Sequence, residues 1–193
     1  MKTLLITGFD PFGKHDINPS WEAVQQLPDV LGDFQIHKLN IPTVYEKAAL
    51  LVISKADAID ADVVLCVGLA NGRDAVTPER IGVNIRDARL ADNEGRLFSG
   101  QQIAEDGPAA YFATVPVRKM AEAIRAAQIP AAVSNTAGTY VCNDVLYTLL
   151  HRYDGTSTRC GFIHVPQLPQ QGEPCLALEQ IVKALTAAIN ALD

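Results

Sequence analysis

Two residues of this chain can do nucleophilic chemistry together. Cys142 lies in SNTAGTYVCNDVLY (134–147), where a small-residue turn, Thr136-Ala137-Gly138-Thr139, runs into a helical pattern. A helix start carries unsatisfied N–H groups and a partial positive charge. That setting favours thiolate, the reactive form, over thiol. Further on, His164 closes the apolar run GFIHV. A cysteine with a histidine supplied by a separate element is the minimum equipment of a cysteine hydrolase. Glu79, in TPERIGVN, can orient the imidazole and stabilise its charged form, as the third group of a triad does. On composition alone Asp74, Asp87, Asp92 and Asp144 are equally available for that role. The other cysteines read as structural: Cys66 inside DVVLCV, Cys160 before a strand and Cys175 after Pro174. His15, His37 and His151 fall in a polar loop, on a half-exposed strand and among basic residues at a helix end.

Phe9 and Phe12 flank Asp10-Pro11 in GFDPFG. Aromatic residues are only 6% of the chain, so two in one turn stand out as walls for a flat, apolar ligand. The glycines of that turn do not have the spacing of a dinucleotide fingerprint or a Walker loop, so nucleotide binding lacks support.

Strand and helix patterns alternate around these residues. Buried strands are expected at 3–7, 34–41, 62–67, 131–135 and 161–165, with a further extended stretch at 75–83 crossed by Pro78. Helices are expected from Pro19 through SWEAVQQL and over 43–59, 115–127, 142–153 and 176–192. Residues 86–106, rich in charge and glycine, read as a loop or hairpin beside the site. The alternation predicts one α/β domain, three-layered α/β/α, with a mainly parallel twisted sheet covered on both faces. In such sheets ligands sit beyond the carboxyl ends of the strands. GFDPFG, GLANGRD, TAGTYVC and His164 all fall there.

Composition removes other classes. The 193 residues suit one domain with a full core. A net charge of -6 argues against nucleic-acid binding and, more weakly, against anionic membrane surfaces. No apolar run has the length of a membrane span, and Asp10 and Pro11 interrupt the signal-like start. The four cysteines form no CxxC pair, so zinc spacing is absent and no metal is expected. A reducing cytoplasm is the expected compartment.

The set GFDPFG, INPSWEAV, TPERIGVN, DNEG, SNTAGTYVCND and GFIHVPQLPQQ, spread along nearly the whole chain, resembles the pyroglutamyl peptidase I family of cysteine peptidases. The resemblance implies a single catalytic domain over 1–193 with a Glu79–Cys142–His164 triad. The implied reaction is removal of an N-terminal pyroglutamyl (5-oxoprolyl) residue from peptides through a thioester, without metal or organic cofactor. It implies the Cys142 N–H and Arg89 as oxyanion donors, and a ring pocket made by Phe9, Phe12, Tyr140 and Val141. It also implies a homo-oligomer, a tetramer as in many relatives.

Three positions depart from the usual pattern. Leu69 stands where many relatives have Gln, Asn71 where they have Gly, and Lys14 where Gly is common. Asn71 is the expected substitute for the polar group lost at Leu69. Two alternatives follow: a related amide or lactam hydrolase with altered specificity, and a catalytically silent small-molecule binding protein. A nucleoside phosphorylase-like transferase rests on architecture alone.

Overall fold

A computed structural model of the chain describes residues 1–13 and 15–192, so Lys14 lies outside the described residues. Four parallel strands form the centre: β1 (Lys2–Phe9), β3 (Phe34–Ile41), β4 (Val63–Leu69) and β8 (Arg159–Val165). Short antiparallel strands β2 (Val30–Leu31) and β5 (Thr77–Pro78) close the edges, giving the order β2-β3-β1-β4-β8-β5. The last strand in the chain therefore lies inside the sheet.

Side chains alternate across each strand, so one run of apolar residues feeds two cores. Leu4, Ile6, Leu65, Val67, Ile163 and Val165 pack beneath α1 (Pro19–Val24), α3 (Val117–Ala126) and α5 (Leu178–Asn190). Leu5, Phe9, Val64, Cys66, Cys160 and Phe162 pack beneath α2 (Lys47–Ala58) and α4 (Val141–Arg152). Each such large apolar side chain contributes about 1.5–3 kcal/mol on burial. The result is the expected α/β architecture, a mainly parallel sheet with a helical layer on each face.

The departures have tertiary causes. The helix expected from Thr43 begins only at Lys47. The backbone N–H groups before it are taken by distant carboxylates: Thr43 donates to Asp10, Tyr45 to Asp92 and Glu46 to Asp144. Residues 131–135 do not form a strand. They run beside 76–80 in constant register, with bridges Val76↔Ala131 and Glu79↔Ser134. Pro78 has no N–H to give, and the ladder breaks there into two isolated bridges. A second, two-stranded sheet pairs β6 (Ile81–Val83) with β7 (Ala110–Phe112), a strand not foreseen in the sequence. Residues 86–106 are irregular apart from the bridge Arg86↔Gln101.

Candidate active site

The β4–β8 register places Gly68 opposite His164. A Cβ on Gly68 would lie 2.8 Å from Phe162 Cζ and 3.0 Å from Cys142 Sγ. The missing side chain thus leaves room for the thiol beside the histidine strand. On the other side of β8, Thr77 pairs with His164. Two residues later Glu79 turns in, and its Oε1 lies 2.7 Å from His164 Nδ1. Both side chains are buried, His164 at 4% and Glu79 at 0% exposure.

Burial alone would raise the Glu79 carboxyl, but the bond and charge of His164, with smaller help from Ser134 and Arg73, hold it below the usual range. Glu79 is therefore an anion, and Nδ1 of His164 is the donor to it. A neutral imidazole in that tautomer keeps Nε2 as an acceptor. Burial also pushes His164 below its ordinary 6.5; Glu79 opposes this and Arg73 adds to it.

Arg73 was not singled out from the sequence. Its Nη1 donates to Glu79 Oε1 at 2.6 Å, and to the Thr77 hydroxyl; its Nη2 donates to the Thr136 carbonyl at 3.0 Å. The only advance signal was its place in GLANGRD, past the carboxyl end of β4.

Cys142 is the second residue of α4, reached through Tyr140 in extended conformation. No side chain caps this helix, and the bond from the Asp144 N–H to the Tyr140 carbonyl closes its first turn. The earlier N–H groups of that turn, Cys142 among them, are the helix's orphan donors. The expected thiolate does not follow. Burial pushes the Cys142 thiol up to about 12, Glu79 and Cys66 push the same way, and Arg73 and the residue's own N–H only partly oppose them. Desolvation opposes the helix terminus here and favours the thiol.

Next to Cys142 opens a small recess of about 260 Å³, counting its mouth, lined by Phe9, Phe12, Asn18, Thr43, Leu69 and Tyr140. Phe12 and Tyr140 meet with ring centres 6.3 Å apart, and Tyr45 braces Tyr140 edge-on at 5.5 Å. No acid or base lines the recess. Asn18 caps α1 by accepting from the Ser20 N–H, and one amide N–H donates to the Asp10 carbonyl. The second N–H of that amide has no acceptor among the described residues. Asn18 and Thr43 were missed in the sequence; Asn18-Pro19-Ser20 is a readable helix start, whereas Thr43 carries no signal. Val141 is buried in the core beneath rather than lining the recess. Asn71, expected to replace a lost polar group, is exposed in a turn and does not line it. Arg89 is exposed, with no hydrogen bond or ion pair to the other described residues.

The remaining candidate acids are spoken for. Asp144 Oδ1 accepts from Arg86 Nε at 2.6 Å, and its Oδ2 from the Glu46 N–H at 2.8 Å. Asp92 accepts from the N–H groups of Tyr45, Glu94 and Arg96 and from Arg96 Nε. Asp74 and Asp87 are exposed.

Comparison with known proteins agrees along the entire chain. A family model described as pyroglutamyl peptidase matches residues 1–193. A pyrrolidone-carboxylate peptidase of Lactobacillus johnsonii is 48% identical over 98% of this chain and 91% of its own. The crystal structure of Bacillus amyloliquefaciens pyroglutamyl peptidase I superposes with a TM-score of 0.96 at 41% identity, covering 100% of this chain and 97% of that one. The pyrrolidone carboxyl peptidase of Thermococcus litoralis gives 0.95 at 36% identity, covering 100% and 93%.

Proposed function

Since this chain belongs to the pyroglutamyl peptidase family, we propose that residues 1–193 act as one catalytic domain in which Glu79, Cys142 and His164 carry the reaction. That reaction is hydrolysis of the peptide bond following an N-terminal pyroglutamyl residue, by cysteine peptidase chemistry. The altered-pocket hydrolase and the silent binder are not favoured by these relatives.

His164 Nε2 takes the Cys142 proton as Sγ attacks the pyroglutamyl carbonyl carbon, while Glu79 stabilises the imidazolium that forms. The tetrahedral intermediate collapses to a thioester, and the leaving amine departs with the proton from His164. Water, deprotonated by His164, then attacks the thioester and returns Cys142 to the thiol. The orphan N–H of Cys142 is the donor for the oxyanion. Arg89 is the second donor by resemblance, and its guanidinium is uncommitted.

The flat lactam ring lies in the recess between Phe9, Phe12 and Tyr140, with the spare N–H of Asn18 for its carbonyl. An ordinary N-terminus is an ammonium, and this recess has no carboxylate to pair it. Burying that charge alone is costly, which selects the uncharged cyclic terminus. The protein acts in the cytoplasm and as a homo-oligomer, tetrameric by family resemblance, with exposed Leu50, Leu51 and Phe112 as apolar surface for contacts. No helix among the described residues is long and apolar enough to cross a membrane.

The observation supporting this reading most strongly is the buried 2.7 Å contact between Glu79 and His164, with Cys142 Sγ reaching Gly68, the residue paired with His164 across β4 and β8. Release of a chromophoric amine from a pyroglutamyl anilide tests it. Wild type should turn over this substrate and not the prolyl anilide, and Cys142→Ser or iodoacetamide should abolish release. Turnover that survives both treatments would remove Cys142 from the reaction.

A further inference from the structure

Glu79 is a buried carboxylate that accepts from two nitrogen donors at one oxygen. Arg73 Nη1 lies 2.6 Å and His164 Nδ1 2.7 Å from the same Oε1. The Oε2 atom is buried without a hydrogen-bond partner among the described residues. Arg73 also reaches across to the Thr136 carbonyl, in the turn that leads to Cys142. One planar guanidinium therefore touches the acid and the approach to the nucleophile, from a loop that belongs to neither.

We propose that Arg73 is a positioning residue of the reaction: it clamps the Glu79 carboxylate to one side of His164 and ties that carboxylate to the turn before Cys142. The inference rests on the roles given above to Glu79, Cys142 and His164.

Charge balance explains why such a clamp is needed. A buried carboxylate with only an imidazole beside it recovers most by drawing a proton onto the ring. An imidazolium cannot accept the proton of a thiol. Arg73, permanently charged, balances Glu79 by itself and lets His164 rest neutral. The ionisable groups facing the pair are few. Glu79 comes from the segment after β5, Arg73 from the loop after β4, and Cys142 from α4, with Cys66 of β4 facing Cys142. Arg73 pulls His164 and Cys142 toward the deprotonated form and Glu79 toward the anion. Lysine at this position would keep the charge near Glu79 but not the two-pronged geometry.

The test compares wild type, Arg73→Gln and Arg73→Lys on the pyroglutamyl anilide between acid and mildly alkaline pH, with melting temperatures alongside. In Arg73→Gln, kcat should fall by about ten- to hundredfold, the cost of a small misplacement at a reacting centre. KM should stay within about twofold of wild type, since Arg73 does not line the recess. The acid limb of kcat/KM should move up by about one pH unit as His164 gains proton affinity. Arg73→Lys should return the acid limb to its wild-type place while kcat stays low. If Arg73→Gln does not fold, Arg73→Lys decides alone, with low kcat on an unmoved limb. A kcat and acid limb within twofold of wild type in the variants overturns the proposal. So does an equal loss of kcat and melting temperature in both, with no movement of the limb, because that marks a purely structural ion pair. An inactive wild type, or an active Cys142→Ala, fails the underlying assignment instead, which keeps the two failures apart.

Discussion

Two clusters of buried charge flank the start of α4, built from the same residue types and put to different uses. On one side Arg73, Glu79 and His164 meet at a single carboxylate oxygen, and the other oxygen of Glu79 has no partner among the described residues. On the other side, Arg86, Asp144, Glu46, Arg96 and Asp92 form a chain of ion pairs. There Asp144 has a donor at each oxygen, Asp92 has two at each, and the Arg86 guanidinium also lies 5.3 Å over the ring of Phe98. The second cluster is saturated, so its charges have nowhere to move. The first contains a group that titrates, His164, with its two donors crowded onto one carboxylate oxygen, whereas the second contains no histidine. Charge burial alone does not mark a candidate site; a shifted titratable group beside the buried charge does.

The contrast can be broken from either side. Tenfold in rate corresponds to about 1.4 kcal/mol, so both clusters can be read on one scale. The largest effect belongs to Cys142→Ala, which should lower kcat by about 10⁵-fold while leaving the denaturation midpoint nearly unchanged. Glu79→Gln follows, with kcat down about 10³- to 10⁴-fold because the imidazole loses its orienting anion. Arg86→Met inverts the pattern. It strands Asp144, fully buried, and should cost about 3–5 kcal/mol in urea unfolding. Its kcat per folded molecule should change far less than in Glu79→Gln; a collapse of kcat with intact stability would erase the distinction between the clusters. Gly68→Ala comes next. Its methyl would press on Phe162 and the Cys142 thiol, and such overpacking costs about 1–3 kcal/mol, with a disproportionate fall in kcat.

The smallest and most discriminating effect is in pH. His164 holds protons more weakly folded than unfolded, so stability begins to fall as pH drops through the unfolded value of 6.5, and kcat/KM falls with an acid limb below it. Glu79 and Asp92, both depressed, contribute stability above their unfolded values of 4.5 and 3.8. That contribution is lost only as pH falls through their lower folded values. Activity should therefore vanish at a pH where circular dichroism still reports a folded chain. On the alkaline side the raised Cys142 thiol predicts little thiolate absorbance in resting enzyme at neutral pH. A Cys142-dependent thiolate signal at pH 7 would show that the helix terminus prevails after all.

How much of this was legible beforehand depends on the range of the forces involved. The strand over 34–41 was readable to the residue, and most helices to within a turn, because local periodicity sets them, with a side-chain cap at α1. The early part of the expected helix from Thr43 was lost to carboxylates far away in the chain, and the ladder at 131–135 was broken by a proline on its partner. Cys142, His164 and the aromatic pair Phe9 and Phe12 carried chemical signatures of their own. Glu79 did not stand apart from Asp92 and Asp144 in composition; what separates them is the partner, His164 at Glu79 against arginines and backbone N–H groups at the other two. Arg73 and Thr43 act through partners that the folded backbone brings together, so no local pattern announces them. Asn71 failed for the opposite reason: it is near in sequence to Leu69, but the turn carries it out to solvent.

The position of β8 inside the sheet also says when this enzyme can begin to work. Glu79 and His164 stand 85 residues apart in the chain, and the histidine arrives on the last strand of the described residues. That strand must insert between β4 and β5, a long-range pairing of the kind that is slow to form. A nascent chain that has not yet reached Arg159 lacks the strand between β4 and β5 and, with it, the proposed base His164. It holds a buried or half-made thiol with no means of activating it. On the proposed roles, turnover is thus a report on the completed β4–β8 pairing.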